Sequence, residues 1–193
     1  MLASELGKVK ARKLRISVPT DEILSSIVRF QPNAFHQRRS TGSNGILDVY
    51  AWTSLSLTSS TGRSEDDHAS YSSHISECNK LTELAGCIPW FVQFAERLTP
   101  VTRCRIFKLA AGGCIPCHTD DNLAKYGLAR IIIPVIADNR CITIVGGEDY
   151  VMLPGEAWFL NDDHPHSVMN SSDRDRIVMC VQTFNLAKLC ELL

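Results

Sequence analysis

The sequence has no excess of either charge: 20 lysines and arginines stand against 21 acidic residues, a formal net charge of −1. That balance leaves no broad basic surface, so neither nucleic acid nor an anionic membrane is an expected partner. No run of 18 apolar residues occurs, and Met1-Leu2-Ala3-Ser4-Glu5 lacks the basic region and apolar stretch of a secretory leader. The expectation is a cytoplasmic protein that neither spans a membrane nor is exported. Internal repeats are also missing.

What is present suits one domain over 1–193, with 45% hydrophobic and 21% charged residues, enough to bury a core. Eight cysteines without a leader read as reduced thiols, and Cys180, inside Ile177-Val178-Met179-Cys180-Val181, reads as a small core hydrophobe. For the same reason of compartment, the sequon Asn170-Ser171-Ser172 is expected to go unused.

The first part, about 1–100, mixes helix and strand. Lys13-Leu14-Arg15-Ile16-Ser17-Val18 alternates polar and apolar residues and predicts a strand. Thr20 is placed to cap a helix from Asp21 to Phe30. Ile46 to Trp52 reads as another strand. The Ser/Thr-rich stretch 54–76 follows, as a loop, a lid or a plain insertion. Pro89 to Leu98 predicts a helix with Trp90, Phe91, Phe94 and Leu98 on one face.

From Arg103 onward, short strands are separated by turn signals. They are Arg103 to Ala110, Ala129 to Ile136, Cys141 to Val145, Tyr150 to Leu153, Ala157 to Asn161 and Arg176 to Phe184. Gly112-Gly113, Asp138-Asn139, Gly146-Gly147 and Pro154-Gly155 break them, as antiparallel hairpins require. The expected fold is mainly β with flanking helices around a double-stranded β-helix, a jelly-roll or cupin-like core over about 101–185. A short helix over 186–193 closes the chain.

Chemistry concentrates in Cys114-Ile115-Pro116-Cys117-His118-Thr119-Asp120-Asp121, in Asn161-Asp162-Asp163-His164-Pro165-His166-Ser167-Val168, and in Arg176. His118 and Asp120, two apart, share a face of an extended segment, and His164 or His166 could add a third ligand. Two imidazoles and one carboxylate form the facial triad of non-haem Fe(II) oxygenases, which leaves positions open for co-substrate and O2. A His-x-acid pair arises by chance about 0.65 times in a chain with six histidines and 21 acids, so context must carry the assignment. Arg176 supplies some of that context. It opens a strand of five apolar residues and needs an anion, which a dicarboxylate co-substrate would provide by bidentate pairing.

Two other metal readings compete. Cys114-Ile115-Pro116-Cys117-His118 fits the C-x-x-C-H pattern of c-type haem attachment, but that chemistry belongs to exported proteins. Structural zinc on Cys114 and Cys117 lacks a second C-x-x-C or an H-x₃-H pair to complete it. Lys108 is a surface lysine or a substrate contact; Asn161 and Trp158 line a pocket or pack.

The order of these pieces resembles the aspartyl/asparaginyl β-hydroxylase family of 2-oxoglutarate-dependent oxygenases. The resemblance rests on Arg105-Ile106-Phe107-Lys108-Leu109, Gly112-Gly113, His118-Thr119-Asp120 and Ala129-Arg130-Ile131-Ile132-Ile133-Pro134. It continues through Pro154-Gly155-Glu156-Ala157-Trp158, Pro165-His166-Ser167-Val168 and Arg176-Ile177. It covers roughly 103–184; the first 100 residues match loosely. It implies His118, Asp120 and His166 as the catalytic iron ligands and Arg176 as the anchor for the C5 carboxylate of 2-oxoglutarate. Arg130 is implied as a second anchor near the other carboxylate, with a structural pairing to Asp120 or Glu156 as the alternative.

The implied activity is hydroxylation of an unactivated C–H bond, using Fe(II), 2-oxoglutarate and O2, with succinate as the by-product. Large membrane-tethered members of the family lack the carboxylate ligand, whereas this chain keeps Asp120 and is similar to small stand-alone members. Those oxidise free or carrier-bound amino acids, so the expected partner is an amino acid or a similar small molecule. The kept carboxylate also argues against halogenation. An aspartyl/asparaginyl hydroxylase acting on a peptide or protein, or a non-catalytic jelly-roll metal-binding module, remain alternatives. Substrate, carbon oxidised and oligomeric state stay open at this point.

Overall fold

The computed structural model describes residues 3–30, 35–37, 40–42, 45–47, 52–67, 75–120 and 122–193. In chain order, α1 (Ala3–Leu6), β1 (Ala11–Lys13) and α2 (Thr20–Ile27) lead into β2 (His36–Gln37), β3 (Ser40–Gly42), β4 (Gly45–Leu47), β5 (Trp52–Ser56) and β6 (Thr58–Ser59). Next come β7 (Lys80–Leu81), α3 (Glu83–Gly86), α4 (Pro89–Arg97), β8 (Val101–Leu109), β9 (Cys114–His118) and α5 (Asn122–Tyr126). The remainder is β10 (Ala129–Ile136), β11 (Cys141–Val145), β12 (Glu148–Val151), β13 (Trp158–Leu160), β14 (His166–Asn170), β15 (Arg176–Thr183) and α6 (Leu186–Leu192).

Two antiparallel sheets carry the architecture: a seven-stranded one in the order β1-β13-β10-β15-β8-β5-β2, and a four-stranded one, β12-β11-β14-β9. This is the mainly β, jelly-roll or cupin-like arrangement expected from the strand spacing, with helices outside it. Among the described residues no helix is long and apolar enough to cross a membrane.

The large sheet is buried on both faces, which is why β10 and β15 read as unbroken apolar runs. Ala129, Ile131, Ile133, Val135, Met179 and Val181 point outward and pack with Ile23, Phe91, Phe94 and Leu189 of the helices. Ile132, Val178, Cys180 and Leu160 point inward against Val145 and Met152. Fully burying one such side chain is worth about 1.5–3 kcal/mol. The inner cluster is the smaller, and polar residues occupy the rest of that face.

Several boundaries differ from expectation for physical reasons. The alternation of Lys13 to Val18 does not make a strand, since β1 ends at Lys13. Leu14 and Val18 are buried and Ile16 partly so, and only isolated bonds, Leu14 N–H to Ala157 O at 2.8 Å and Val18 N–H to Gly155 O at 3.3 Å, tie the segment down. Its partner β13 is three residues long and preceded by a turn, so no ladder can extend. Thr20 does not cap α2: its hydroxyl donates to Val18 O, and the helix stops at Ile27.

The helix expected over Pro89 to Leu98 is α4, with proline in its first turn and Trp90 stacked on Phe94 at 4.8 Å. Of the strand expected over 46–52, residues 48–51 lie outside the described residues, as do 68–74 of the Ser/Thr-rich stretch. The described part of that stretch is ordered as β5, β6 and two 3-10 turns, Ser64–Asp67 and Ile75–Glu77. The strand expected from Tyr150 starts at Glu148 instead. Gly146 and Gly147, with φ of 55° and 79°, form a two-residue turn that places Glu148 opposite Val145.

Candidate metal centre and active site

β9 and β14 are neighbours in the small sheet, and their register places His118 directly opposite His166. Antiparallel pairing brings side chains at such positions about 5 Å apart at Cβ, and the two rings lie 4.3 Å apart between centroids. Asp120 sits two residues past His118, its N–H donating to Asp162 O at 3.0 Å. One ligand atom from each of His118, Asp120 and His166 lies within 4.8 Å of the others, the one such three-donor cluster among the described residues. Asp121, the next carboxylate along the chain, lies outside those residues. His164, the rival imidazole, is not in the cluster.

Both imidazoles are oriented by their own backbone. His118 Nδ1 lies 2.8 Å from Pro116 O and His166 Nδ1 lies 3.0 Å from His164 O. With Nδ1–H donating to a carbonyl, the Nε2 lone pair is left for a ligand, the usual outer support of a metal-binding histidine. His166 Nε2 is enclosed and has no hydrogen-bond partner. Burial, and secondarily Arg130, lower the His166 pKa to about 4, so the ring is neutral at physiological pH.

Behind the cluster stands an ion-pair network, of which the sequence offered the Arg130–Asp120 pair as an alternative and did not offer the Asp162 part. Arg130 of β10 reaches Asp120 Oδ2 at 2.5 Å and Asp162 Oδ2 at 3.1 Å. Asn122 donates to the same Asp162 oxygen at 2.6 Å, and the Asp163 carboxylate accepts from the N–H groups of Leu123 and Ala124 at 3.0 and 2.8 Å. These bonds dock α5 beside the site. Burial pushes the Asp120 carboxyl up, but Arg130, with smaller pulls from the two histidines, brings it below its ordinary value. Asp162 goes the other way: burial outweighs Arg130 and Asn122. Arg130 is raised, because Asp162 and Asp120 together overcome its desolvation. Two acids following Asn161 were the available signal for this network, but their pairing with Arg130 depends on cross-strand register.

Arg176 opens β15 on the inner face and is 5% exposed. One Nη donates to Thr143 Oγ1 of β11 at 3.3 Å, its Nε has no partner, and among the described residues no carboxylate pairs with it. Burial lowers its pKa to about 10. A guanidinium so placed is costly until an anion arrives.

Other candidates are accounted for by packing. Lys108 pairs with Asp175 at 3.6 Å over the Phe35 ring. Asn161 donates to Gly7 O at 3.1 Å and Trp158 Nε1 donates to Glu156 at 2.9 Å. Glu156 also holds Lys13, so it is not the partner of Arg130. Cys114 and Cys117 are exposed free thiols outside the cluster.

A double-stranded β-helix with two histidines and a carboxylate gathered at facing strands belongs to the non-haem iron oxygenase class. The aspartyl/asparaginyl beta-hydroxylase family model matches residues 19–185, and the chain belongs to that family. It is a 2-oxoglutarate-dependent dioxygenase, working with Fe(II), 2-oxoglutarate and O2. Among solved structures it is similar to a prolyl hydroxylase from Trichoplax adhaerens in complex with a peptide fragment of the hypoxia inducible factor oxygen degradation domain. Identity is 12%, coverage 99% of this chain and 90% of that one, and the TM-score 0.58. It is also similar to an oxidoreductase of the 2OG-Fe(II) oxygenase family from Burkholderia pseudomallei, at 12% identity, 94% and 89% coverage and a TM-score of 0.53. At these identities the likeness is one of fold. No curated protein matches the sequence.

Proposed function

We propose that the chain hydroxylates an unactivated C–H bond of an amino acid or similar small molecule, with His118, Asp120 and His166 holding Fe(II). The observation that carries this reading is the enclosed, unpartnered His166 Nε2 facing His118 and Asp120. With 2-oxoglutarate and O2, iron supplies the oxidising equivalent that turns C–H into C–OH while succinate and CO2 form.

The protein's share is geometry and exclusion of water. Arg176 takes the distal carboxylate of 2-oxoglutarate, with Thr143 beside it to accept one N–H and fix the fork. Arg130 holds Asp120 Oδ2, which turns Oδ1 toward His118, 3.9 Å from its Nε2. The Arg130 Nε, enclosed and unpartnered, is available to the near carboxylate of the co-substrate. Val145, Met152, Leu160 and Val178 keep the inter-sheet space apolar, which strengthens every charge interaction inside it.

The small-substrate reading rests on the resemblance to stand-alone members that keep the carboxylate ligand. A peptide substrate is the second reading, favoured by the peptide bound to the Trichoplax adhaerens structure. Screening free amino acids, short peptides and folded protein domains for stimulated succinate formation, with a mass gain of one oxygen in the product, decides between them. Oxidation of a folded domain alone would overturn the small-substrate reading.

A further inference from the structure

The inner face of β15 carries a polar side chain at each end. Arg176 opens the strand, and Gln182 is its last residue but one. Val181 packs in the outer cluster, and the Thr183 hydroxyl on the same side donates to Leu98 O at 2.6 Å. Gln182 lies between them in sequence and so turns inward. It is 5% exposed, and its amide oxygen is enclosed with no donor. Folding strips that oxygen of water without giving it a partner, so for the fold alone an apolar residue would be the more stable occupant.

Strand register places Gln182 beside the metal cluster, directly opposite Arg130 of β10. Paired residues of antiparallel strands stand about 4.5–5.5 Å apart at Cα and leave the sheet on one face. One Arg130 nitrogen, Nη2, lies 2.5 Å from Asp120 Oδ2 and 3.1 Å from Asp162 Oδ2. The Arg130 Nε has no acceptor, and the Gln182 oxygen has no donor. A donor and an acceptor thus stand on neighbouring strands, both enclosed, and do not bond each other. The residue opposite Arg130 on its other side, Leu160 of β13, is apolar and belongs to the inner cluster. Gln182 is therefore the polar flank of Arg130.

An enclosed acceptor calls for a ligand that brings an N–H. 2-Oxoglutarate does not qualify, since its polar atoms are oxygens and two acceptors repel. Its proposed anchor, Arg176, also lies at the opposite end of β15, roughly 20 Å along the strand. That leaves the molecule to be oxidised. We propose that Gln182 selects the substrate, its Oε1 accepting an N–H from the amino nitrogen of an amino acid held beside the metal cluster. This rests on the hydroxylase reading and narrows it to substrates recognised through that nitrogen. An analogue without the nitrogen leaves the oxygen buried and unpaired, which is how a site built for an N–H rejects it.

The test uses Fe(II)- and 2-oxoglutarate-loaded protein, titrated anaerobically in a calorimeter with each common L-amino acid and with the carboxylic acid that lacks its amino group. At least one amino acid should bind, and its desamino analogue should bind about ten-fold more weakly or worse, the effect of leaving a buried acceptor unpaired. Gln182→Leu should bring the amino acid down to the level of its analogue and leave 2-oxoglutarate affinity unchanged. Gln182→Met, unbranched and close to glutamine in length, keeps the test available if Gln182→Leu does not fold. A merely structural role would weaken both members of the pair, and the co-substrate, together. No binding of any amino acid, equal binding of the pair by wild type, a preference that survives in the variant, or a loss of 2-oxoglutarate affinity there would overturn the proposal. Wild-type protein that takes up no 2-oxoglutarate would instead overturn the hydroxylase reading on which it stands.

Discussion

One oxygen of Asp120 lies 2.5 Å from Arg130 Nη2, while the other lies 3.9 Å from His118 Nε2. On the proposed ligand set, Arg130 acts through a carboxylate it orients. Arg130→Met should leave the three donors in place but free Asp120 to rotate, and outer-shell losses of this kind typically cost 10- to 100-fold in metal affinity. Anaerobic Fe(II) titration of the folded variant measures this. Wild-type affinity in Arg130→Met would assign Arg130 to the co-substrate alone.

His118 and His166 face one another on adjacent strands, so each should be needed for metal. Wild-type protein purified anaerobically should bind one Fe(II) per chain, and His166→Ala or His118→Ala should each abolish binding at that site. Chelation of the iron should stop succinate formation, and Fe(II) should restore it. Iron retained by both alanine variants would place the metal elsewhere.

The strands were legible where β-branched and apolar runs end at turn residues: β10 and β11 begin and end where expected. β9 escaped because Pro116 interrupts it, which an edge strand of the small sheet tolerates. His118, Asp120 and His166 could be picked out because two of them sit two residues apart and the third follows a proline in a second histidine cluster. Of the partners of Arg130, Asp120 was named among the alternatives, but Asp162 could not be picked out. Asp162 is brought to it by the β10–β13 pairing, which sets Arg130 opposite Leu160, and local periodicity does not encode that meeting. Thr143 met Arg176 in the same way, through the packing of one sheet on the other.

Asn170 illustrates burial overriding a motif. Its side-chain amide donates to Leu109 O, Ala110 O and Arg174 O at 3.1, 2.9 and 2.9 Å, and its oxygen accepts from Ser172 Oγ at 2.7 Å. It is fully buried, which keeps its side chain from glycosylation in the folded protein whatever the compartment. Asn170→Ala should cost on the order of 2–4 kcal/mol, since several buried carbonyls lose their donor at about 1–3 kcal/mol each with partial relaxation. A drop in thermal midpoint of several degrees is expected, and an unchanged midpoint would show that water replaces the amide.

The last prediction concerns Arg176. Its guanidinium is 5% exposed, donates to a neutral hydroxyl, and has an enclosed Nε with no partner. Burial alone accounts for the fall of its pKa to about 10, which still leaves it charged at neutral pH. An anion entering between the sheets gains a partner already desolvated by folding. If that anion is the distal carboxylate of 2-oxoglutarate, Arg176→Leu should weaken the co-substrate by roughly 2–5 kcal/mol. That is on the order of thirty-fold to several thousand-fold in affinity. The fold should survive and even gain stability, because an apolar side chain replaces a buried charge without a counter-ion. Titrating 2-oxoglutarate anaerobically into Fe(II)-loaded wild type and variant, followed by the metal-to-ligand charge-transfer band, reads the effect directly. Unchanged 2-oxoglutarate binding in a folded, iron-loaded Arg176→Leu protein would remove Arg176 from the co-substrate site. A variant that loses iron as well would mean that the side chain supports the fold of the metal centre instead.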